Sequence, residues 1–316
     1  MSVRHLAESQ VLEWLHTVCP EALSQGGSSR DPFPLRPLIV GVSGPQGSGK
    51  TTLSKQLESS LAAPPRSLSV ISLSIDDFYL TKQEQDSLAS SEPGNKLLQY
   101  RGNPGTHDIS LALNVLDELT LAHQSALEGR PSSVLIPRYD KSLHQGRGDR
   151  APREKWTTAL APFHVIILEG WCVGFRSLPD RRLQELFHSS NGCQIDASLE
   201  SVFPCLRSHQ PTHVEKLNLA LKEYDGLWLR LDVLLHIHTT DLNNVYIWRK
   251  EQERSLWNLS HSGLTDQEVE DFVDRFMPGY MLGLDSLLRA EQEKTIGRFL
   301  RILIGQNREL LSFNVG

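Results

Sequence analysis

A glycine-rich segment near the start of the chain has residue types that bind phosphate groups. Its residues match the pattern GxxxxGK[ST] in full: Gly44, Pro45, Gln46, Gly47, Ser48, Gly49, Lys50 and Thr51, followed by Thr52. The glycines let the backbone wrap a phosphate with its N–H groups pointing inward, and the N-terminus of a following helix adds partial positive charge. Lys50 would neutralise the β and γ phosphates of a nucleotide, and the Thr51 hydroxyl would coordinate Mg2+. A glycine-rich turn that only caps a helix is the alternative interpretation.

Two adjacent carboxylates follow the next apolar run of the sequence. Asp76 and Asp77 come directly after the run Val70 to Ile75. At the carboxyl end of a parallel strand, a carboxylate can accept the proton of a hydroxyl that attacks a γ-phosphoryl group. An isolated Asp-Asp pair can also form a turn or cap a helix. Beside a phosphate-binding loop, we expect the first role.

The elements that must position these residues follow from the hydrophobic pattern. Short apolar runs indicate buried strands, and segments with helical spacing lie between most of them. The apolar runs are 38–42, 70–75, 134–136, 165–168, 233–237 and 299–304; the helical segments are 50–61, 109–123, 242–256, and 266–276 with a continuation to about 296. This alternation predicts an α/β fold with a doubly wound, mostly parallel sheet flanked by helices.

We expect one domain over residues 1–316, because the chemistry-bearing residues lie on successive elements of a single alternating pattern. Residues 1–23 have the spacing of a helix packed on that domain, and residues 24–37 are rich in Gly, Ser, Pro and Arg, which is typical of a linker. Two long polar segments break the alternation. We expect the first, 81–108, to be a functional cover and the second, 176–213, to be a peripheral insertion.

Composition excludes several classes of function. The net charge of -6 leaves no overall basic surface for nucleic acid. No apolar run is long enough to span a bilayer, so we expect no membrane partner. The sequence Asn95-Lys96-Leu97-Leu98 departs from the NKxD signature of guanine-specific switches. The four cysteines share no CxxC spacing, which indicates reduced thiols. Reduced thiols predict a cytoplasmic protein, with nuclear presence left open.

The residues Asp76-Asp77-Phe78-Tyr79 resemble the D-x-F-Y element of the phosphoribulokinase, uridine kinase and pantothenate kinase branch of P-loop kinases. Within that branch the chain resembles the plant-type D-glycerate 3-kinases and their fungal relatives, several of which are described only as probable ATP-dependent kinases. The resemblance extends from about residue 36 to 290. Besides the glycine-rich segment, its motifs are Arg101-Gly102-Asn103-Pro104-Gly105-Thr106-His107-Asp108, Pro137-Arg138-Tyr139-Asp140-Lys141-Ser142, Gly148-Asp149-Arg150, Leu168-Glu169-Gly170-Trp171 and Tyr246-Ile247-Trp248-Arg249.

The resemblance implies a role for each matched residue. Asp76 is the implied general base. Glu169, at the end of an apolar strand, resembles the Glu of the EG element and would hold Mg2+ directly or through water, with a strand-end salt bridge as the alternative. Arg249 resembles the basic lid of these kinases and would lie on the transferring phosphoryl group, or else remain a solvated helix charge.

Loop residues near the same sheet edge could bind an anionic or hydroxylated acceptor. An arginine can grip a carboxylate through two hydrogen bonds, which a lysine cannot do. For each charged residue the alternative is a solvated loop charge. The candidates are Asp77, Tyr79, Arg101, His107, Arg138, Tyr139 and Lys141.

The resemblance therefore implies an enzyme that uses ATP and Mg2+ to phosphorylate a small-molecule hydroxyl, and D-glycerate is the implied acceptor. Two alternatives stay open: a kinase of the same branch that acts on a nucleoside, pantothenate or a sugar acid, and a nucleotide-binding regulator without acceptor chemistry. The sequence leaves the oligomeric state open.

Overall fold

The computed structural model describes residues 3–23, 34–188, 195–260, 263–295 and 297–316. Most of the expected linker, residues 24–33, lies outside the described residues. The strands of the described part are β1 (Leu38–Ser43), β2 (Val70–Ser74), β3 (Ser133–Ile136), β4 (Tyr139–Asp140), β5 (Asp149–Arg150), β6 (Thr157–Leu160), β7 (Val165–Gly170), β8 (Val233–Thr239), β9 (Arg298–Ile304) and β10 (Leu310–Val315).

The helices surround this set of strands. In the described part they are α1 (Val3–Val18), α2 (Pro20–Leu23), α3 (Lys50–Ala62), α4 (Lys82–Ser91), α5 (Ile109–Leu127), α6 (Asp180–His188), α7 (Pro211–Leu221), α8 (Asp225–Trp228), α9 (Asn244–Ser260), α10 (Asp266–Asp274) and α11 (Met277–Gln292). Within the described residues, none of these helices is long and apolar enough to cross a membrane.

A six-stranded sheet of order β10-β9-β8-β1-β7-β2 forms the centre of the described chain. Its neighbours pair in parallel except for β9 and β10. Alternate residues of β1 face opposite layers, because Ile39 belongs to one buried cluster and Val40 to the other. The predicted fold class, a mostly parallel sheet flanked by helices, is therefore confirmed.

The run 134–136 does form a strand, but it lies outside the central sheet. β3 pairs antiparallel with β6 in a separate ribbon. Its side chains alternate between buried Val134 and Ile136 and less buried Ser133 and Leu135. Such alternation is typical of a strand covered on one face, whereas central parallel strands are buried on both.

Both segments that break the alternation contain a helix within their described residues. Residues 81–108 contain α4, which begins with a capping box between Thr81 and Glu84. The described part of residues 176–213 contains α6 and contributes Leu183, Leu186 and Leu206 to the main core. This part is packed into the core, whereas the sequence predicts a peripheral insertion.

The topology brings three strand ends to one edge. β1, β7 and β2 are adjacent and parallel, with Ser43 opposite Gly170 and Ser74 opposite Glu169. The residues that follow these strands therefore meet at the same edge of the sheet, as expected for the ligand-binding edge of an open α/β sheet.

Candidate active site

The glycine-rich loop joins β1 to α3, and its shape depends on glycine at two points. Gly49 at the helix start has φ 99°, and Gly47 has φ 79°. A Cβ on Gly47 would lie 2.5 Å from the Trp248 Cβ, so no larger residue fits without displacing α9. The buried Ser43 and Ser48 hydroxyls find no hydrogen-bond partner among the described residues, which fits a loop built to receive an oxygen-rich ligand.

Lys50 is the first residue of α3 and lies at the inner side of the loop. Its Nζ donates to the Pro45 carbonyl at 3.0 Å, and its side chain is buried. Burial lowers the pKa of Lys50, while Glu169 and Asp76 act in the opposite direction. A buried ammonium beside two carboxylates is suited to receive a phosphate.

Groups distant in the sequence hold the loop backbone from outside. The Gln46 N–H donates to the Tyr280 hydroxyl of α11 at 2.9 Å. Arg308, between β9 and β10, donates from Nε to the Gly47 carbonyl at 2.7 Å. Neither Tyr280 nor Arg308 was expected from the sequence, because neither lies in a motif and each acts through the loop backbone.

Thr51 and Glu169 form a set of oxygen ligands next to Lys50. The Thr51 hydroxyl donates to Glu169 Oε1 at 3.2 Å, and Glu169 lies near the end of β7. Burial raises the pKa of Glu169, whereas the Lys50 charge lowers it. A hydroxyl and a carboxylate at this spacing fit the ligand preference of Mg2+.

Asp76 lies in a single 3-10 turn directly after β2. Its Oδ1 accepts a hydrogen bond from the Tyr79 hydroxyl at 2.9 Å, and its Oδ2 pairs with Lys141 Nζ at 2.5 Å. Burial raises the pKa of Asp76, but Lys141 and Tyr79 outweigh it, and the net pKa lies below the ordinary value. Asp76 is therefore ionised at neutral pH and able to accept a proton.

Asp77 has a different set of partners. Its Oδ1 accepts from the Tyr139 N–H at 3.0 Å, and its Oδ2 from Arg138 at 3.3 Å. Burial raises the pKa of Asp77, and these two donors lower it only in part. The structure thus pairs Asp77 with Arg138 at the start of the β4–β5 ribbon, and a substrate contact by either residue stays a prediction.

The β4–β5 ribbon brings Tyr139 and Lys141 to the site. Arg150 anchors the ribbon by donating to Asp108 Oδ2 at 3.0 Å and to the Tyr79 carbonyl at 3.1 Å. The Arg101 guanidinium lies 5.6 Å from the centre of the Tyr139 ring. Arg150 belongs to the motif Gly148-Asp149-Arg150 of the resemblance, which assigns it no role; in the structure it orients the ribbon.

His107 lies on the buried side of Asp76. Its ring stacks on Tyr79 with centroids 4.4 Å apart, and its Nδ1 lies 2.6 Å from the Tyr224 hydroxyl. Burial lowers the pKa of His107 to about 4, so the imidazole is neutral at physiological pH. Its Nε2 finds no hydrogen-bond partner among the described residues. Tyr224 lies outside every motif and was not expected from the sequence.

Arg249 is not brought to the phosphate-binding loop by the contacts of α9. Its guanidinium pairs with Glu253 and lies 4.9 Å from the centre of the Phe272 ring. The neighbouring residue, Trp248, is the one that contacts Gly47. A role for Arg249 at the transferring phosphoryl group stays a prediction.

The structure therefore gathers the phosphate-binding loop, a carboxylate and hydroxyl pair, and an ionised aspartate at one sheet edge. Pro45, Ser48 and Thr52 belong to the loop or to the start of α3. Such a site can hold a nucleoside triphosphate and deprotonate a hydroxyl next to its terminal phosphate.

Comparisons with known proteins cover nearly the whole chain, although no protein-family model matches it. An uncharacterized kinase of Schizosaccharomyces pombe is 36% identical over 274 residues, which are 86% of this chain and 90% of that protein. A probable ATP-dependent kinase of Saccharomyces cerevisiae is 34% identical over 307 residues, or 95% of this chain and 93% of that one.

Two further matches carry the name of a substrate. The chloroplastic D-glycerate 3-kinase of Arabidopsis thaliana is 35% identical over 252 residues, which span 79% of this chain and 48% of that protein. The structure of a D-glycerate 3-kinase from Cryptococcus neoformans superposes with a TM-score of 0.77 at 29% identity and covers 100% of both chains. The fold is thus shared over the full length with a small-molecule kinase.

Proposed function

This chain belongs to the family of D-glycerate 3-kinases and fungal ATP-dependent kinases, within the uridine kinase-like P-loop kinases, and we propose that it phosphorylates the 3-hydroxyl of D-glycerate with ATP. The position of Asp76 is the observation that supports phosphoryl transfer. Asp76 is an ionised carboxylate at the end of β2, and its charge acts on Lys50 and Glu169, which lie at the ends of neighbouring elements. The acceptor is supported by the names of two relatives and by the Lys141 ammonium beside Asp76.

The residues of the site divide the work of phosphoryl transfer. The loop N–H groups and Lys50 would bind the phosphates, and Thr51 and Glu169 would hold Mg2+. When bound, that ion neutralises charge on the phosphate oxygens. Asp76 accepts the proton of the acceptor hydroxyl as its oxygen bonds to the γ-phosphorus, and the bond to the bridging oxygen breaks, so that ADP departs with the electron pair.

The test is acceptor-dependent ADP release with D-glycerate, uridine and pantothenate in parallel. We expect turnover with D-glycerate, and a loss of about 10²- to 10⁴-fold in kcat for Asp76→Asn, because a positioned base contributes that much. Asp77→Asn is the matched control, and its loss should stay below about tenfold because the amide oxygen can still accept from the Tyr139 N–H.

The outcomes separate the parts of the proposal. Turnover with uridine or pantothenate alone overturns the acceptor and keeps the kinase. ATP binding without turnover on any acceptor favours a regulator. Full activity of Asp76→Asn overturns the base and makes Asp77 the next candidate.

A further inference from the structure

The carboxylate of Asp76 is occupied on both of its oxygens. Tyr79 donates to Oδ1, and the Lys141 ammonium lies 2.5 Å from Oδ2. A carboxylate in a close ion pair is a weaker base, because the pair stabilises its ionised form. Release of one of these partners would therefore make Asp76 a stronger base.

The two partners differ in their freedom to leave. Tyr79 is buried, stacks on His107 and meets Tyr139 edge to face with ring centroids 5.3 Å apart. The Lys141 side chain is 56% exposed and follows the ribbon strand β4, so its long side chain can swing into solvent. Lys141 is the partner that can be drawn away.

The backbone that carries Lys141 is held in place, whereas its side chain is largely exposed. Asp77 fixes the Tyr139 N–H, and Arg150 on the paired strand is fixed by Asp108. Its neighbour Asp140 is turned toward Ser142, whose N–H and hydroxyl donate to Asp140 Oδ1 at 2.9 Å and 2.5 Å. The Lys141 ammonium therefore reaches Asp76 from a backbone segment that is held in place.

We propose that Lys141 is a latch on the general base, which the carboxylate of an anionic acceptor opens by taking over the ion pair with the Lys141 ammonium. This proposal rests on the proposed function, since it names how the same site selects its acceptor class. The exchange of one carboxylate for another keeps the lysine paired and leaves Asp76 Oδ2 free beside the acceptor hydroxyl.

The latch does not change the chemical step, which needs no further reactant. The hydroxyl oxygen bonds to the γ-phosphorus, its proton moves to Asp76 Oδ2, and ADP departs with the electrons of the broken bond. With the latch closed, water next to ATP meets a weakened base. The latch thereby limits wasteful hydrolysis and disfavours neutral acceptors, because these carry no charge to draw Lys141 away.

The first test compares Lys141→Gln with Lys155→Gln, a control at an exposed lysine beyond the ribbon. We expect Lys141→Gln to raise ATP hydrolysis in the absence of acceptor by roughly tenfold, because the base is released. Its KM for D-glycerate should rise about 10- to 100-fold, the effect of losing a charge-assisted hydrogen bond, with the KM for ATP unchanged. Lys141→Arg should keep hydrolysis low.

The second test uses lactate, which cannot be phosphorylated at a 3-hydroxyl, with glycerol as a neutral control. Lactate has the carboxylate and 2-hydroxyl of D-glycerate but lacks its 3-hydroxyl, so it should open the latch and let water attack. We expect lactate to stimulate ATP hydrolysis by the unmodified chain and to have no effect on Lys141→Gln, while glycerol stimulates neither.

The outcomes distinguish this inference from the proposed function. Unchanged hydrolysis in Lys141→Gln, or no response of the unmodified chain to lactate, overturns the latch even if D-glycerate is phosphorylated. A lactate response without D-glycerate turnover supports the latch and overturns the acceptor. Equal Tm values for the Gln variants of Lys141 and Lys155 exclude unfolding as the cause.

Discussion

At the scale of single residues, the site depends on aromatic side chains that fix charged or polar neighbours. Tyr79 binds Asp76 and stacks on His107, and Tyr224 lies within hydrogen-bond distance of the His107 Nδ1. His107 is kept neutral by burial, which lowers its pKa to about 4. Because the His107 imidazole is neutral, it adds no charge beside Asp76, whose Oδ2 pairs with the Lys141 ammonium.

The burial of His107 predicts how stability changes with pH. Between about pH 6.5 and pH 4 the unfolded chain binds a proton at His107 and the folded chain does not, so stability falls as pH falls through this window. His107→Asn keeps a group opposite Tyr224 and cannot titrate, so we expect it to remove a slope of up to about 1.4 kcal/mol per pH unit. Urea unfolding at several pH values measures this.

Asn114→Gln, at an exposed side chain that carries no titratable group, serves as the control for that experiment. It should leave the slope unchanged. The same slope in the unmodified chain and in His107→Asn would show that His107 is protonated or exposed in the folded state.

The sequence predicts the residues proposed to bind phosphate or the reacting hydroxyl, because these lie in contiguous motifs after strands. It does not predict residues such as Tyr224, Tyr280 and Arg308, which act through a backbone group or through another side chain. Their spacing carries no signal, since the partner lies far away in the chain.

At the scale of elements, parts of the chain that follow β7 hold the backbone of the phosphate-binding loop in place. α11 supplies Tyr280 to the Gln46 N–H, the β9–β10 turn supplies Arg308 to the Gly47 carbonyl, and α9 packs Trp248 against Gly47. Trp248 also donates from Nε1 to the Gln306 carbonyl at 2.6 Å, which links α9 to the turn. The loop is therefore held in shape by its neighbours.

Loss of the hydrogen bond between Tyr280 and the loop should weaken nucleotide binding without affecting acceptor binding. Tyr280→Phe leaves the Gln46 N–H without its acceptor, and such a loss costs about 1–3 kcal/mol. We expect a higher KM for ATP, an unchanged KM for the acceptor, and a lower Tm. Tyr100→Phe, at an exposed ring, is the control and should change none of these. An unchanged KM for ATP would contradict a role of Tyr280 in shaping the loop.

The sequence predicts the elements accurately where a strand is buried on both faces or where apolar residues recur at helical spacing. The continuous apolar runs of β1, β7 and β8 predict central strands because both faces are covered. The short run in β3 gives the same signal, and only its pairing with β6 shows that it lies in a ribbon. The helical pattern of 266–296 is in fact two helices, with Pro278 in the first turn of α11.

At the scale of the whole molecule, the segment 176–213 joins distant parts of the described chain. Arg182 of α6 pairs with Asp285 of α11 through two contacts of 2.5 Å and 2.8 Å, and both side chains are buried. This ion pair was not expected from the sequence, because the Ser, Pro and His residues of the segment suggest a loop and a single ion pair across the core leaves no pattern.

Substitutions of two adjacent arginines test how much the packing of α6 contributes to the stability of the fold. Arg182→Met should lower the free energy of unfolding by about 3–5 kcal/mol, because it leaves the Asp285 charge buried without its partner. Arg181→Met, at a side chain that is 92% exposed, should change it by less than about 0.5 kcal/mol. Equal stability of the two variants by urea unfolding would mean that α6 does not pack on α11.

The central place of β1 has a consequence for how the chain folds during synthesis. Its two neighbours are β7, which begins at Val165, and β8, which begins at Val233, so neither has left the ribosome when the phosphate-binding loop emerges. Long-range parallel pairing of this kind is slow, and it leaves both edges of an apolar strand open until late. The nascent chain therefore carries an aggregation-prone strand through most of its translation, and we expect its yield to depend on chaperones that bind exposed apolar segments.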